Sequence, residues 1–273
     1  MRRYIFIILL FGMICPLYPG LVITRSEVGL ETKELYHQNK FAELHNDRIV
    51  MLWDFDTFEL TLINHALRIY TTIGYEEFRE YSERQNMAQI RSEIDELGEE
   101  RIEMMQSATE TLYRRIRPRY TIGDSLIVNG FLAHEYRVYN GNVINQRIWV
   151  SRTLQERINR EVPRENIQRI ENIFKDNRAA FLFVMGIPMD PISRLVQSIE
   201  ERGYVLKRFD YGIRERANEE YDRAVEEIDN IISDISEVNI DPVIFTFHQR
   251  YQRLDYNAYQ MRVIRQMERL LDN

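Results

Sequence analysis

Asp54-Phe55-Asp56 follows an apolar run, residues 49–55, as the nucleophile and acid of an aspartate-based phosphotransferase would. That chemistry needs a carboxylate nucleophile held at a strand end, a second carboxylate beside it, and a Thr or Val four residues after the first. Phe58 occupies that position, and no later carboxylates complete the set. A hairpin turn explains the triplet better, because Asp accepts local backbone hydrogen bonds there. The five histidines, His37, His45, His65, His134 and His248, make no H-x-x-x-H pair, and His134-Glu135 lacks a second histidine at helical spacing. Nothing in that pattern points to a metal. G-x-S-x-G, G-x-G-x-x-G and P-loop patterns are absent from the sequence. The expectation is a protein that is not an enzyme and carries neither metal nor cofactor.

Two polar residues draw attention within residues 122–151. Asn129-Gly130 and Asn140-Gly141 each sit between runs rich in Ile, Val, Tyr and Trp. Asn-Gly tolerates the positive φ that a two-residue hairpin loop requires. The segment therefore reads as a three-stranded antiparallel meander, about 122–128, 131–139 and 142–151. Tight loops at both pairs set Val138 opposite Val143, Tyr136 opposite Asn145, His134 opposite Arg147 and Leu132 opposite Trp149. In the first hairpin they set Ile127 against Leu132, Ser125 against His134 and Gly123 against Tyr136. One face then carries Ile127, Leu132, Tyr136, Val138, Val143 and Trp149 together with His134 and Arg147. A charged group on such a face must be paired, wet or in contact with a ligand's polar head. Asp124, Glu135, Arg137 and Gln146 fall on the other face.

The elements that must position these residues are legible along the chain. It has 273 residues, 44% of them hydrophobic, enough for one large domain or two small ones. Residues 21–38 read as one extended opening strand. A meander of short strands follows, at 41–45, 49–55, 58–63 and 67–72. The period changes after Gly74. Residues 75–116 lack proline, and Met87, Ile90, Ile94, Leu97, Met105, Ala108 and Leu112 recur near one helical face. An unbroken helix of that length would run to about 60 Å, so a break near Gly98 is expected. The Met stripe (Met87, Met104, Met105) suits packing onto the sheet, or an adaptable apolar surface. Further helices are expected over 163–185 and after Asp190-Pro191, an N-cap followed by proline at the first helical position. Residues 204–212 read as a strand, 218–236 as helix or strand, and 254–271 as a C-terminal helix.

Met1-Arg2-Arg3 and the apolar run 4–14 look like a secretory signal, with an uncleaved anchor as the alternative. Pro16 and Pro19 favour cleavage. Cys15, the single cysteine, has Ile14 before it, where a lipidation signal needs a small residue. A cleaved chain would hold no disulfide, thiol nucleophile or Cys-ligated zinc. The formal charge is −7. A net acidic chain is a poor partner for nucleic acid or anionic headgroups.

Several pieces in order resemble a family of secreted bacterial proteins of unknown function related to outer-membrane lipoprotein carriers and sorting proteins (LolA/LppX-like). They are the Asp54-Phe55-Asp56 hairpin, Arg68-Ile69-Tyr70 and a Met/Gln/Glu-rich helical segment. Next come Ile127, Gly130, Phe131, Tyr136 and Val138 of an I-x-x-G-[YF] stretch, and Ile148-Trp149-Val150-Ser151. Gly203, Tyr204 and Lys207, and then Asp241, Pro242, Phe245 and Tyr251, close the series. Relatives often carry a cysteine shortly after the Gly-Tyr, and residues 132–135 have none.

The resemblance implies an α+β fold, a curved antiparallel half-barrel with helices packed on the concave side. It would span 21–253, with a helical insertion at about 75–117, a signal peptide at 1–20 and an added helix at 254–273. It also implies a periplasmic or secreted, non-enzymatic protein that binds a lipid acyl chain or a lipidated protein in the cavity. Trp53, Phe55, Tyr136 and Trp149 would form the wall, with His134 or Arg147 near a polar head. An envelope protein-interaction or sensor module with a filled core, docking through the long charged helix, is the alternative. Neither reading involves nucleic acid, and with the signal cleaved the protein is not integral to the membrane.

Overall fold

Short β-branched and aromatic runs, punctuated by Asn, Asp and Gly, fold into antiparallel strands joined by tight turns. The computed structural model describes residues 19–27, 30–184, 186, 188–211 and 227–271. The expected signal segment lies almost wholly outside them. Among these residues twelve strands form one sheet in the order β12-β6-β5-β4-β3-β2-β1-β11-β10-β9-β8-β7. The first six are β1 (Gly20–Glu27), β2 (Leu30–His37), β3 (Lys40–His45), β4 (Arg48–Asp54), β5 (Glu59–Asn64) and β6 (Ile69–Gly74). The next five are β7 (Pro118–Val128), β8 (Phe131–Asn140), β9 (Val143–Ser151), β10 (Tyr204–Asp210) and β11 (Glu227–Val238). β12 (Gln252–Arg253) adds a parallel pair beside β6. All other pairings are antiparallel, and among the described residues the sheet does not close.

Residues 21–38 are two strands, contrary to the single strand expected. β1 and β2 pair antiparallel, with Glu27 opposite Leu30 and Leu21 opposite Tyr36. The strand alternative holds for 227–238, where β11 pairs with both β1 and β10, and residues 218–226 lie outside the described set.

Among the described residues six α-helices accompany the sheet: α1 (Tyr75–Leu97), α2 (Glu99–Tyr113), α3 (Arg152–Glu161), α4 (Arg164–Val184), α5 (Pro191–Glu200) and α6 (Tyr256–Leu271). The expected break falls at Gly98, whose φ of 75° suits a residue without Cβ. Asp190 caps α5, accepting from the backbone N–H groups of Ile192 and Ser193. β6 and β7 stand ten inter-strand steps apart, roughly 48 Å along a flat sheet. The chain covers that distance through α1 and α2, about 57 Å of helix in all.

One sheet face, termed inner here, carries Leu21, Ile23, Trp53, Leu60, Trp149, Leu206 and Phe209, covered by Leu154 and Ile158 of α3 and Ile170 of α4. The opposite face is covered in two parts. α5 lays Ile192, Val196 and Ile199 over Val138, Ile148 and Val150. Two short 3-10 turns, Pro242–Phe245 and Phe247–Arg250, cover Leu35, Ala42 and Leu52 with Phe245 and its neighbours. The apolar run at 243–247 falls within these turns.

Candidate functional site

The register of the central meander decides which residues can meet. In the first hairpin Asn129 and Gly130 both take positive φ, and Ser125 pairs with His134 as expected. A bulge then sets Ile122, not Gly123, against Tyr136. In the second hairpin the loop is Gly141-Asn142, with Asn140 opposite Val143, and a bulge between Val138 and Tyr139 shifts the pairing again. Glu135 stands opposite Trp149, Tyr136 opposite Ile148 and His134 opposite Val150. The offset from the expected pairing is three residues, an odd number, so β9 turns over relative to β8.

The six expected site residues are therefore divided between two faces. Trp53, Phe55 and Trp149 belong to the inner apolar cluster. Tyr136 lies on the opposite face beneath α5, with the Arg202 guanidinium 5.4 Å from its ring centre. His134 is exposed on that face and shares a hydrogen bond with the Ser125 hydroxyl at 3.1 Å. Arg147 is half-buried on the inner side. The expected side-by-side pairing of His134 with Arg147 does not occur.

The inner wall is packed rather than open at its aromatic residues. Trp53 is 1% exposed. Phe55 stacks on it at 6.4 Å between centroids, and Tyr75 and Phe78 of α1 approach it at 6.3 and 5.8 Å. Trp149 meets Phe209 edge to face at 5.6 Å, with the Arg147 guanidinium 4.8 Å from its ring centre. Such contacts add about 0.5–1.5 kcal/mol each beyond simple burial.

Beside Trp149 sits Glu135, assigned to the polar face by the expected register but only 1% exposed. Its carboxylate accepts from Arg147 Nε at 2.5 Å and from an Arg137 terminal nitrogen at 2.7 Å. Burial alone would raise its pKa. The two arginines outweigh burial and hold it below the usual carboxylate value. Gly123 leaves the room, since a Cβ there would lie 2.2 Å from the Glu135 Oε2.

A second polar cluster on the inner wall went unseen in the sequence. Arg25 Nε lies 2.7 Å from Glu34 Oε1, and Tyr36 and Tyr204 donate their hydroxyls to Glu34 at 2.7 and 2.5 Å. Burial, followed by the charge of Glu34, pushes both phenols well above their usual range. The fold-back of β1 on β2 brings Arg25 and Glu34 together, and a single strand over 21–38 would have kept them far apart. The one visible signal was Tyr204 in the Gly203-Tyr204 pair. Arg25 and Tyr204 line a cleft of about 530 Å³ between β10 and helices α3, α4 and α5. Its other lining side chains, Gln155, Gln168, Asn172 and Gln197 among them, are mainly polar.

No family model matches the chain. No curated protein matches it either. The site must therefore be read from its own chemistry. Among the described residues no group of three or more His, Cys, Asp or Glu side chains could hold a metal ion. No described helix is long and apolar enough to cross a membrane.

The outward surface of the α1–α2 segment differs from expectation. Tyr75 and Phe78 anchor the first turn, and Ile90 is buried, but α2 buries none of its side chains. Met104 and Met105 are 64% and 39% exposed, and Leu112 is exposed too. Of the two expectations for the Met stripe, packing on the sheet fails over α2, where Met104 and Met105 face solvent. Gly98 redirects the helix before Met104, so one continuous face cannot follow the sheet.

Proposed function

We propose that this protein is a non-enzymatic interaction module of the cell envelope, with a filled core and with α2 as its docking surface. The carrying observation is that α2, fifteen residues long, buries no side chain of its own and presents Met104, Met105 and Leu112 to solvent. Methionine repacks easily against differing shapes, which suits a recognition surface. Glu99, Glu100 and Glu103 make its first turns acidic, which favours a basic partner surface there, while Glu110 is paired with Arg114 and Arg115 lies beside Met104 and Leu112. Pull-down from a solubilised envelope fraction with the full chain tests this, with a Met104→Glu/Met105→Glu variant beside it. A partner retained by the parent and lost from the variant supports the reading. Equal retention by both, or no retention by either, defeats it.

A lipid or lipidated-protein carrier is the second reading. It rests on an open antiparallel sheet whose inner face is spanned by helices, the arrangement that a LolA-like half-barrel requires. The apolar layer between sheet and helices, Trp53 and Trp149 included, would then be the wall exposed when α1 and α4 move apart. Native mass spectrometry of protein purified without detergent distinguishes the two. An extractable bound lipid favours the carrier, and a clean apo mass with no uptake of a fatty-acid probe removes it.

A further inference from the structure

The cleft of about 530 Å³ between β10 and helices α3, α4 and α5 differs in kind from the packed apolar wall beside it. Its aliphatic lining is Ile167 and Val205. A pocket for an apolar ligand has the reverse make-up, a mostly apolar lining with a few polar groups. An apolar ligand here would gain little and would strand polar groups away from water.

The charges of the cleft do not select an ion. Arg25, Arg164 and Arg208 are matched in number by Glu171, Glu200 and Glu201. Arg25 is paired with Glu34, Arg208 with Glu200, and Arg164 donates to the Glu201 carbonyl oxygen. Glu171 is engaged as well. A phosphate or a carboxylate would have to displace Glu34 or Glu200 from its arginine and leave that glutamate unpaired.

The capacity left over is in carboxamides. Gln168 and Asn172 stand one turn apart on the same face of α4, and α3 and α5 each add one more, Gln155 and Gln197. Gln155 gives an amide hydrogen to Asn159 at 3.0 Å and Gln197 gives one to Glu201 at 3.4 Å, which leaves both carbonyl oxygens to accept. Gln168 and Asn172 are exposed and make no side-chain hydrogen bond among the described residues. A carboxamide donates and accepts from one planar group, and the neutral ligand group that also does both is the hydroxyl. Several hydroxyls on a rigid ring meet several amides at a small cost in ordering. A peptide also donates and accepts, but it is recognised through side-chain pockets or an open strand edge. β10 is flanked by β9 and β11, and the cleft has little apolar surface to form such pockets.

We propose that this cleft binds a neutral saccharide through the carboxamides of Gln155, Gln168, Asn172 and Gln197. The site shares no residue with α2 and stands whichever partner α2 takes.

Saturation-transfer difference NMR on the full chain tests this, because it reports weak binding of small ligands. The probes are maltose, lactose and N,N′-diacetylchitobiose, with trialanine as the peptide control and inorganic phosphate, read by its phosphorus line width, as the anion control. At least one disaccharide should give a saturable signal. Gln168→Leu/Asn172→Leu should weaken that binding by about tenfold or more, since the hydrogen bonds of two amides are lost. Both residues are exposed, so the thermal melt of the double variant should match the parent. Met104→Glu/Met105→Glu should bind the sugar as the parent does, which keeps this result separate from the docking role of α2. No saturable signal from any of the disaccharides overturns the proposal, as does equal binding by the Gln168→Leu/Asn172→Leu variant. Binding of trialanine or phosphate in place of the sugars reassigns the cleft and overturns it too.

Discussion

Arg147 donates its Nε hydrogen to the buried carboxylate of Glu135 at 2.5 Å, across the β8–β9 pair. Arg137 donates to the other carboxylate oxygen at 2.7 Å. Replacing Glu135 with Ala leaves two arginines facing each other beside Trp149. Breaking a fully buried pair costs about 3–5 kcal/mol. Both guanidinium groups are about a third exposed and can rehydrate, so a loss of roughly 2 kcal/mol is expected, read as a lower urea midpoint. The pH dependence has a fixed sign. The folded pKa of Glu135 lies below its unfolded value of about 4.3, so the stabilisation is complete above that pH. It fades as pH falls through the folded value. Glu135→Gln should flatten this acid limb of the stability profile.

That pair also shows how far the sequence could be read. Strand positions were legible where a hairpin is punctuated by residues that accept positive φ, such as Asn129-Gly130 and Asn46-Asp47. Helix ends were legible at Gly98, where φ is positive, and at Asp190, whose side chain caps the first turn. Register was not. The loop at Gly141-Asn142 and the bulge after Val138 together move β9 by an odd number of residues, and bulges leave no mark in a period-two pattern. Glu135 was thus placed on the polar face, and Trp149 on the same face as Tyr136. The Arg25–Glu34–Tyr204 cluster was hidden more deeply, since Tyr204 lies 170 residues after Glu34 in the chain and depends on the β1–β2 fold-back.

His248 supplies a second pH effect. It is buried edge-on against Tyr70 at 4.9 Å, and burial pushes its pKa below the ordinary histidine value. The unfolded chain then takes up a proton near pH 6.5, before the folded protein does. Its contribution is fully present above that pH and is lost as pH falls through the folded value. His37 has the same sign, lowered by burial and partly restored by Glu161. His248→Phe should keep the stack on Tyr70 and weaken the pH dependence of the thermal midpoint below about pH 6.5.

Trp149 is a core residue in this structure, and truncating it should act on stability first. Its ring meets Phe209 and lies beneath Arg147, within the same cluster as Leu154 and Ile158. Trp149→Ala should cost about 3–5 kcal/mol, the range for deleting a buried aromatic side chain. Trp149→Phe should recover more than half of that. A variant with an unchanged melting temperature would show that the ring is not packed as described.

Gly203 and Gly98 make a controlled comparison of two reasons for a glycine. Gly203 lies where the backbone of β10 begins against the end of β9. A Cβ there would sit 2.7 Å from the Ser151 carbonyl oxygen, 2.8 Å from its carbon and 3.0 Å from the Arg152 nitrogen. These are backbone atoms at the start of α3, where the Ser151 hydroxyl accepts from the Leu154 N–H. No side chain can swing aside, so the β9–α3 junction itself must move. Gly203→Ala should therefore cost roughly 3 kcal/mol, the upper part of the range for overpacking. Gly98 has open space around it and a positive φ. Gly98→Ala meets only backbone strain, but at φ 75° and ψ 155° that strain is about 1–3 kcal/mol. Urea unfolding should lower the midpoint of both variants, for steric reasons at Gly203 and conformational ones at Gly98. An unchanged midpoint for Gly203→Ala would mean that β9 and β10 approach each other less closely at Ser151 than described. The contact also joins Gly203-Tyr204 to Ile148-Trp149-Val150-Ser151, two stretches more than fifty residues apart in sequence. Their close approach fixes where Tyr204 projects, and so the geometry of the cluster it forms with Arg25 and Glu34.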